Sequence, residues 1–219
     1  MGTITRNFAN NLTTSGLLKP TAFNNDSFDN VTSVPSGSVE VGAMQFISSA
    51  TASSSASIEF TSGIDSTYKE YVFYFVNIHP STDAAKFDFQ VSTDGGSSYG
   101  VTLTSTTPRA RHTENDLEAY IQYTDTYDLA QSTSFQSLSD TIGNTSDQNA
   151  SGFLTLYNPS STTFVKHWTE CLNTDQHNDA TVCRFHAGYF NTTSAINAIK
   201  FQMNSGNIDA GEILLFGVN

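Results

Sequence analysis

From about Val39 onward the chain is written in short runs of β-branched and aromatic residues broken by turn residues, a spacing that suits strands of an all-β sandwich. Ser57-Ile58-Glu59-Phe60 and Phe87-Asp88-Phe89-Gln90-Val91 alternate strictly, one face apolar and the other polar. The i, i+3, i+4 spacing of an amphipathic helix is almost nowhere found. The pattern predicts strands at 39–47, 55–60, 70–78, 86–92, 99–104, 117–123, 152–157, 163–171, 181–189, 198–203 and 212–218. Tyr71 to Val76 is apolar on both faces, which predicts a central strand sandwiched between two layers. Sixteen Phe, nine Tyr and one Trp supply the bulk of a core large enough to offset the ordering entropy of the chain. The fold class read from this pattern is all-β, an antiparallel β-sandwich, and no fixed-period repeat suggests a propeller or solenoid.

Residues 1–38 are different in kind. Asn pairs, Pro20, Pro35 and Gly37 separate isolated large residues, Phe8, Leu17, Leu18, Phe23 and Phe28. This reads as an extended N-terminal attachment arm (1–38), its scattered apolar residues suited to pinning onto a neighbouring surface, ahead of a sandwich domain (39–219). Within that domain, Thr93-Asp94-Gly95-Gly96 predicts a hairpin, because Gly supplies positive φ and Asp tolerates it. Residues 125–150, rich in Thr, Ser, Asp and Asn, predict a long exposed excursion.

Composition narrows function. With 9 Lys+Arg against 21 Asp+Glu the net charge is -12, and clustered cations for neutralising phosphates are lacking, so no nucleic-acid partner is expected. The longest apolar run is far too short for a helical membrane span, and no membrane insertion is expected. Met1 to Pro20 has Arg6 but no apolar h-region, which predicts synthesis in a cytoplasm without a signal peptide. The chain holds 28 Ser, 29 Thr and 18 Asn, about a third of its length, so its glycosylation-type sequons are uninformative. Two cysteines supply neither a disulfide framework nor a zinc site, and nucleophile-elbow, phosphate-loop and zincin motifs are absent from the sequence. The expectation is a protein without cofactor, metal or catalytic residues.

Four groups of residues stand out as candidate contacts. Cys171 and Cys183 fall on two strands joined by the polar run 173–179, in a register that sets Cys171 opposite Cys183, Glu170 opposite Arg184, Trp168 opposite His186 and Val165 opposite Tyr189. The pair is either a disulfide formed outside a reducing cytoplasm or two reduced thiols. His79, His112, His167, His177 and His186 show no ligand spacing. Acidic residues Glu114, Asp116, Glu118, Asp125 and Asp128 interleave with Tyr120, Tyr123 and Tyr127, a solvated loop or, with Trp168, a sugar-stacking platform. Arg109 and Arg111 form the one basic concentration, facing either an acidic surface or, between subunits, Glu114 or Asp116.

Three stretches carry a family resemblance. The leader Met1-Gly2-Thr3-Ile4-Thr5-Arg6-Asn7-Phe8-Ala9-Asn10-Asn11 with Ala22-Phe23-Asn24-Asn25-Asp26-Ser27-Phe28 resembles the start of small virion proteins of tailed bacteriophages, particularly marine ones. The middle, Tyr68 to Pro80 and Phe89 to Tyr99, is similar to a β-sandwich module of phage head and tail proteins. The ending, Ile199 to Met203, Ser205 to Ile208 and Gly211 to Val218, resembles its closing strands, with Phe216-Gly217 where usual members have Tyr-Gly. The resemblance implies a jelly-roll-like sandwich on the virion exterior, commonly a homotrimer. It would bind the major capsid protein or other virion proteins as a capsid decoration or cement protein, without enzymatic activity. The alternative it leaves open is a tail-fibre or tail-tip protein recognising a host surface glycan.

Overall fold

The computed structural model describes residues 44–218, and every structural statement here concerns those residues. Thirteen strands follow one another with no helix among them: β1 (Met44–Thr51), β2 (Ile58–Phe60), β3 (Glu70–Pro80), β4 (Phe87–Ser92), β5 (Leu103–Thr106), β6 (Pro108–Thr113), β7 (Ala119–Tyr123), β8 (Gln136–Ser137), β9 (Ala150–Tyr157), β10 (Lys166–Gln176), β11 (Ala180–Phe190), β12 (Ala198–Met203) and β13 (Ile208–Val218). The large sheet runs β1-β13-β3-β9-β10-β11-β6-β7, with β5 also paired to β11, and the small sheet runs β2-β12-β4-β8. All pairings are antiparallel.

Two four-stranded sheets, β1-β13-β3-β9 and β2-β12-β4-β8, define the topology. The chain changes sheet at each connection except β4 to β8, and its first and last described strands lie side by side. That is the double-sheet jelly roll. Two insertions, β5–β7 and the β10–β11 hairpin, widen the large sheet beyond β9.

Alternation builds the core. Phe73 and Phe75 of β3, Leu154 and Leu156 of β9, and Ile213 and Leu215 of β13 point inward from one sheet; Ile58, Phe60, Phe87, Phe89, Ile199 and Phe201 point inward from the other. Phe201 is the hub, its ring centroid 5.2 to 6.4 Å from those of Phe60, Phe73, Phe75, Phe87 and Phe89. Where β3 bulges at Asn77, whose φ is 53°, it meets β13 at Gly211. A Cβ on Gly211 would come within 2.6 Å of the Asn77 carbonyl oxygen, so only glycine fits.

Several expectations need correction. Thr93 to Gly96 is a turn with both glycines at positive φ, but it joins no hairpin, since β4 lies in the small sheet and β5 in the large one. Ser92 Oγ and the Asp94 carboxylate hold this turn closed. Residues 125–150 are no exposed excursion: Gln136, Leu138, Ser139, Asp140 and Ile142 are buried, and β8 completes the small sheet. The basic run at 108–113 is strand β6. Strand β3 is central, between β13 and β9, but no second layer among the described residues covers its outer face. The arm and residues 39–43 lie outside the described residues.

Truncating the hub tests this core. Phe201→Ala should cost about 3–5 kcal/mol. In urea that appears as a lower midpoint with unchanged slope, while a cost under about 1 kcal/mol would show that the ring cluster is not the centre of the fold.

Candidate functional site

The outer face of the large sheet is where apolar side chains meet solvent. One cross-strand row reads Leu214–Tyr74–Phe153–Cys171–Phe185, from β13 to β11. A second begins Phe46–Phe216 and runs on to Val72, which is buried. Phe46 is 59% exposed, Phe185 50% and Phe153 41%, against near-zero values for the inward Phe residues. The rings touch: Phe46 to Phe216 at 5.5 Å, Phe216 to Tyr74 at 5.7 Å and Tyr74 to Phe153 at 6.2 Å between centroids. Towards the far edge, Ile121 on β7 and Leu117 just before it are more exposed still. Strand β3 is apolar on both faces, which is the pattern of a strand covered twice, yet among the described residues only one cover is present.

Beneath the widened part of the sheet lies a buried polar layer. Phe89 of β4 packs on Trp168 of β10 and Phe190 of β11, and beside it segment 127–142 carries the polar groups that meet the inner faces of β10, β11 and β6. Asp140 organises it. One carboxylate oxygen accepts from Arg109 Nη1 at 2.5 Å and Arg184 Nη2 at 2.7 Å; the other accepts from the Tyr127 hydroxyl, Gln176 Nε2 and the Thr141 amide at 3.0 to 3.1 Å. Burial alone would raise the Asp140 pKa, but the Arg184 charge and these hydrogen bonds outweigh it and bring it down to about 2. The Tyr127 ring lies between Arg184 Cζ at 3.8 Å and Lys86 Nζ at 4.1 Å. Burial and the Asp140 charge push its phenol well above the usual range.

Next to this node, Glu170 and His186 face each other on β10 and β11, fully buried, with Glu170 Oε2 2.7 Å from His186 Nδ1. Burial drives the carboxyl pKa well up, against the pull of Arg184, and burial together with Arg184 drives the imidazole down to about 3. Burial thus disfavours charge on both members of the pair. An acid–imidazole pair without exposed surface has no route to a substrate.

The arginines are accordingly spent inside the body rather than offered outward. Arg109 binds Asp140 and the Tyr120 hydroxyl; Arg111 binds Gln176, Glu118 and Asn178. Neither meets Glu114 or Asp116; Asp116 instead pairs with His112 at 2.9 Å. The stacking platform is not assembled either. Trp168 is fully buried against Phe89, and Tyr127 is enclosed, leaving Tyr123 as the well-exposed ring of the set with its hydroxyl on Asp128. A cleft of about 610 Å³ lies elsewhere, lined by residues that include Thr93, Ser98, Tyr99, Thr133 and Asn191.

Register decides the cysteines. The observed β10–β11 pairing is shifted by two residues: Trp168 faces Gly188, Glu170 faces His186, Cys171 faces Phe185 and Cys183 faces Asn173. The cause is the turn. The strands continue through the polar residues to a three-residue loop, 177–179, where Asp179 takes φ 57° and its amide donates to Gln176 O. Trp168 also demands it, since a Cβ on Gly188 would lie 2.8 Å from the indole. The thiols are free, diagonal neighbours with sulfurs 3.7 Å apart. Burial and the contact with Cys183 push the Cys171 thiol up to about 12. The remaining histidines are separate, His79 on Gln148 O, His177 on Thr141 and His167 against the Tyr189 ring. Among the described residues no three His, Cys, Asp or Glu side chains converge as a metal site would need.

Comparison with protein-family models, with curated proteins and with solved structures gives no match.

Two carboxylates make opposite pH predictions. Asp140, depressed in the fold, contributes stability that is present above its unfolded pKa near 4 and is lost as pH falls towards about 2. Asp140→Asn should cost about 3–5 kcal/mol at pH 7 and flatten that acid limb; chemical denaturation at pH 7, 4 and 2.5 measures both. Asp88, buried on the outer side of β4 with the Ser137 hydroxyl on it, is raised by burial to about 6. Its protonated form fits the fold, so its contribution is full below about pH 4 and lost as pH rises through 6. Asp88→Asn should therefore raise the melting temperature at pH 7.5 and leave it unchanged at pH 4; no gain at pH 7.5 contradicts the assignment.

Proposed function

We propose that the chain is a non-enzymatic structural protein of a bacteriophage particle, seated on the particle exterior as a capsid decoration or cement subunit. The observation that carries this reading is the aromatic outer face, with Phe46, Phe216, Tyr74, Phe153 and Phe185 on neighbouring strands. A contiguous exposed apolar surface of this kind marks an interaction site, and aromatic residues are the type that dominates protein–protein binding energy. The jelly-roll topology agrees but is shared with lectins and cupins, so it does not by itself select a role. The resemblance of the leader and closing strands to small virion proteins supplies the setting.

In this reading the outer face seats the body on the protein that builds the shell. The leader adds a second attachment through Phe8, Leu17, Leu18, Phe23 and Phe28. Two linked contacts raise overall affinity without either being large. Cementing needs no chemistry, only residence.

The test has two parts. Mass spectrometry of gradient-purified particles should find the chain at a copy number commensurate with the shell. Added back to particles lacking it, the Phe46→Ser/Phe153→Ser double variant should bind at least about 30-fold more weakly, the loss of one strong hot spot, with a melting temperature close to that of the parent. Deleting residues 2–34 should leave a folded, soluble body that no longer sediments with the particle. Absence from particles, or undiminished binding by both variants, overturns the reading.

A further inference from the structure

We propose that Cys171 and Cys183 form an oxidative modification site, a thiol pair built to close into an intrachain disulfide across β10 and β11. The two side chains occupy one face, because the two-residue register shift keeps both on the outer side of the hairpin. Cys171 sits beside Phe153 and Phe185, and Cys183 lies between Asn173 and Ala110. Their sulfurs are 3.7 Å apart, in contact and unbonded. A disulfide needs about 2.0 Å, which side-chain rotation on two adjacent strands has to supply by moving each sulfur less than about 1 Å. Both residues are part-exposed, and the neighbouring Phe185 ring is half in solvent, so a small oxidant reaches them from the outer face.

The reaction balances with a small-molecule disulfide as oxidant. One protein thiol gives up its proton and attacks the oxidant's S–S bond, releasing one small thiol and leaving a mixed disulfide. The second protein thiol then displaces the other small thiol and forms the Cys171–Cys183 bond. The protein loses two electrons and two protons, and the oxidant gains them as two free thiols. In a reducing compartment the pair stays open, and in an oxidising one it closes. The bond would tie together the hairpin whose inner side carries Glu170, Arg184 and His186. The inference rests on thiol geometry alone and stands whether or not the chain belongs to a particle.

The chain holds these two cysteines and no others, which makes the test clean. Full-length protein is incubated with oxidised glutathione, quenched by alkylation, and read by intact and peptide mass spectrometry. The expected product has lost two hydrogens, carries no adduct and yields a peptide linking 171 to 183. Cys171→Ser and Cys183→Ser each should stop at a single glutathione adduct. Oxidation should raise the melting temperature of the parent by roughly 5–10 °C, the effect of closing a short loop in a domain of this size. Dithiothreitol should reverse the rise, and neither serine variant should show it. Two alkylated thiols after oxidation, two separate adducts, or a disulfide between chains would each overturn the proposal.

Discussion

One carboxylate holds the widened half of the sandwich in place. Asp140 takes five hydrogen bonds, two of them from arginines on different strands. Without it Arg184, wholly buried, would be an uncompensated charge, a worse outcome than never having buried the pair. The segment 127–142 is therefore fastened by polar chemistry as well as by burial of Leu138 and Ile142, and the inner face of β10 and β11 mixes buried charges with Trp168, Leu172 and Phe190.

That division explains why the two faces of the large sheet are so unlike. Inward, aromatic packing around Phe201 fills the jelly-roll half and reaches Trp168 and Phe190 of the extension, with the Asp140 network beside them. Outward, the rings of Phe46, Phe216, Tyr74 and Phe153 touch in sequence, and Phe185 follows beyond Cys171. A chain with so many hydroxyl and amide side chains does not lack polar residues to place there. The proposed seating on a shell protein gives those rings the second layer that the sequence of β3 calls for.

Much of the fold was legible because period-two alternation is a local signal. Strand β12 matches its predicted limits, and β3, β4 and β9 are correct to within two residues. Strand β6 was missed since Pro108, two arginines and a histidine do not look like a strand; their polarity belongs to partners at positions 118, 140 and 176, far off in sequence. Burial of 136–142 was invisible for the same reason. The β10–β11 register followed charge pairing in the sequence reading, whereas the turn at 177–179 and the space needed by Trp168 set it two residues away. The candidate face was half legible: the doubly apolar strand is visible in Tyr71 to Val76, but that its outer side stays open is a property of the assembled sheets.

The first and last described strands pair directly, Met44 across from Val218. Synthesis delivers β1 well before β13, so the large sheet keeps an unfilled slot between β1 and β3 until β13 has emerged. Long-range closure of this kind makes for slow folding and leaves unpaired edges exposed meanwhile. The body therefore cannot close its large sheet before β13 is available, and losing β13 removes the strand that both β1 and β3 await.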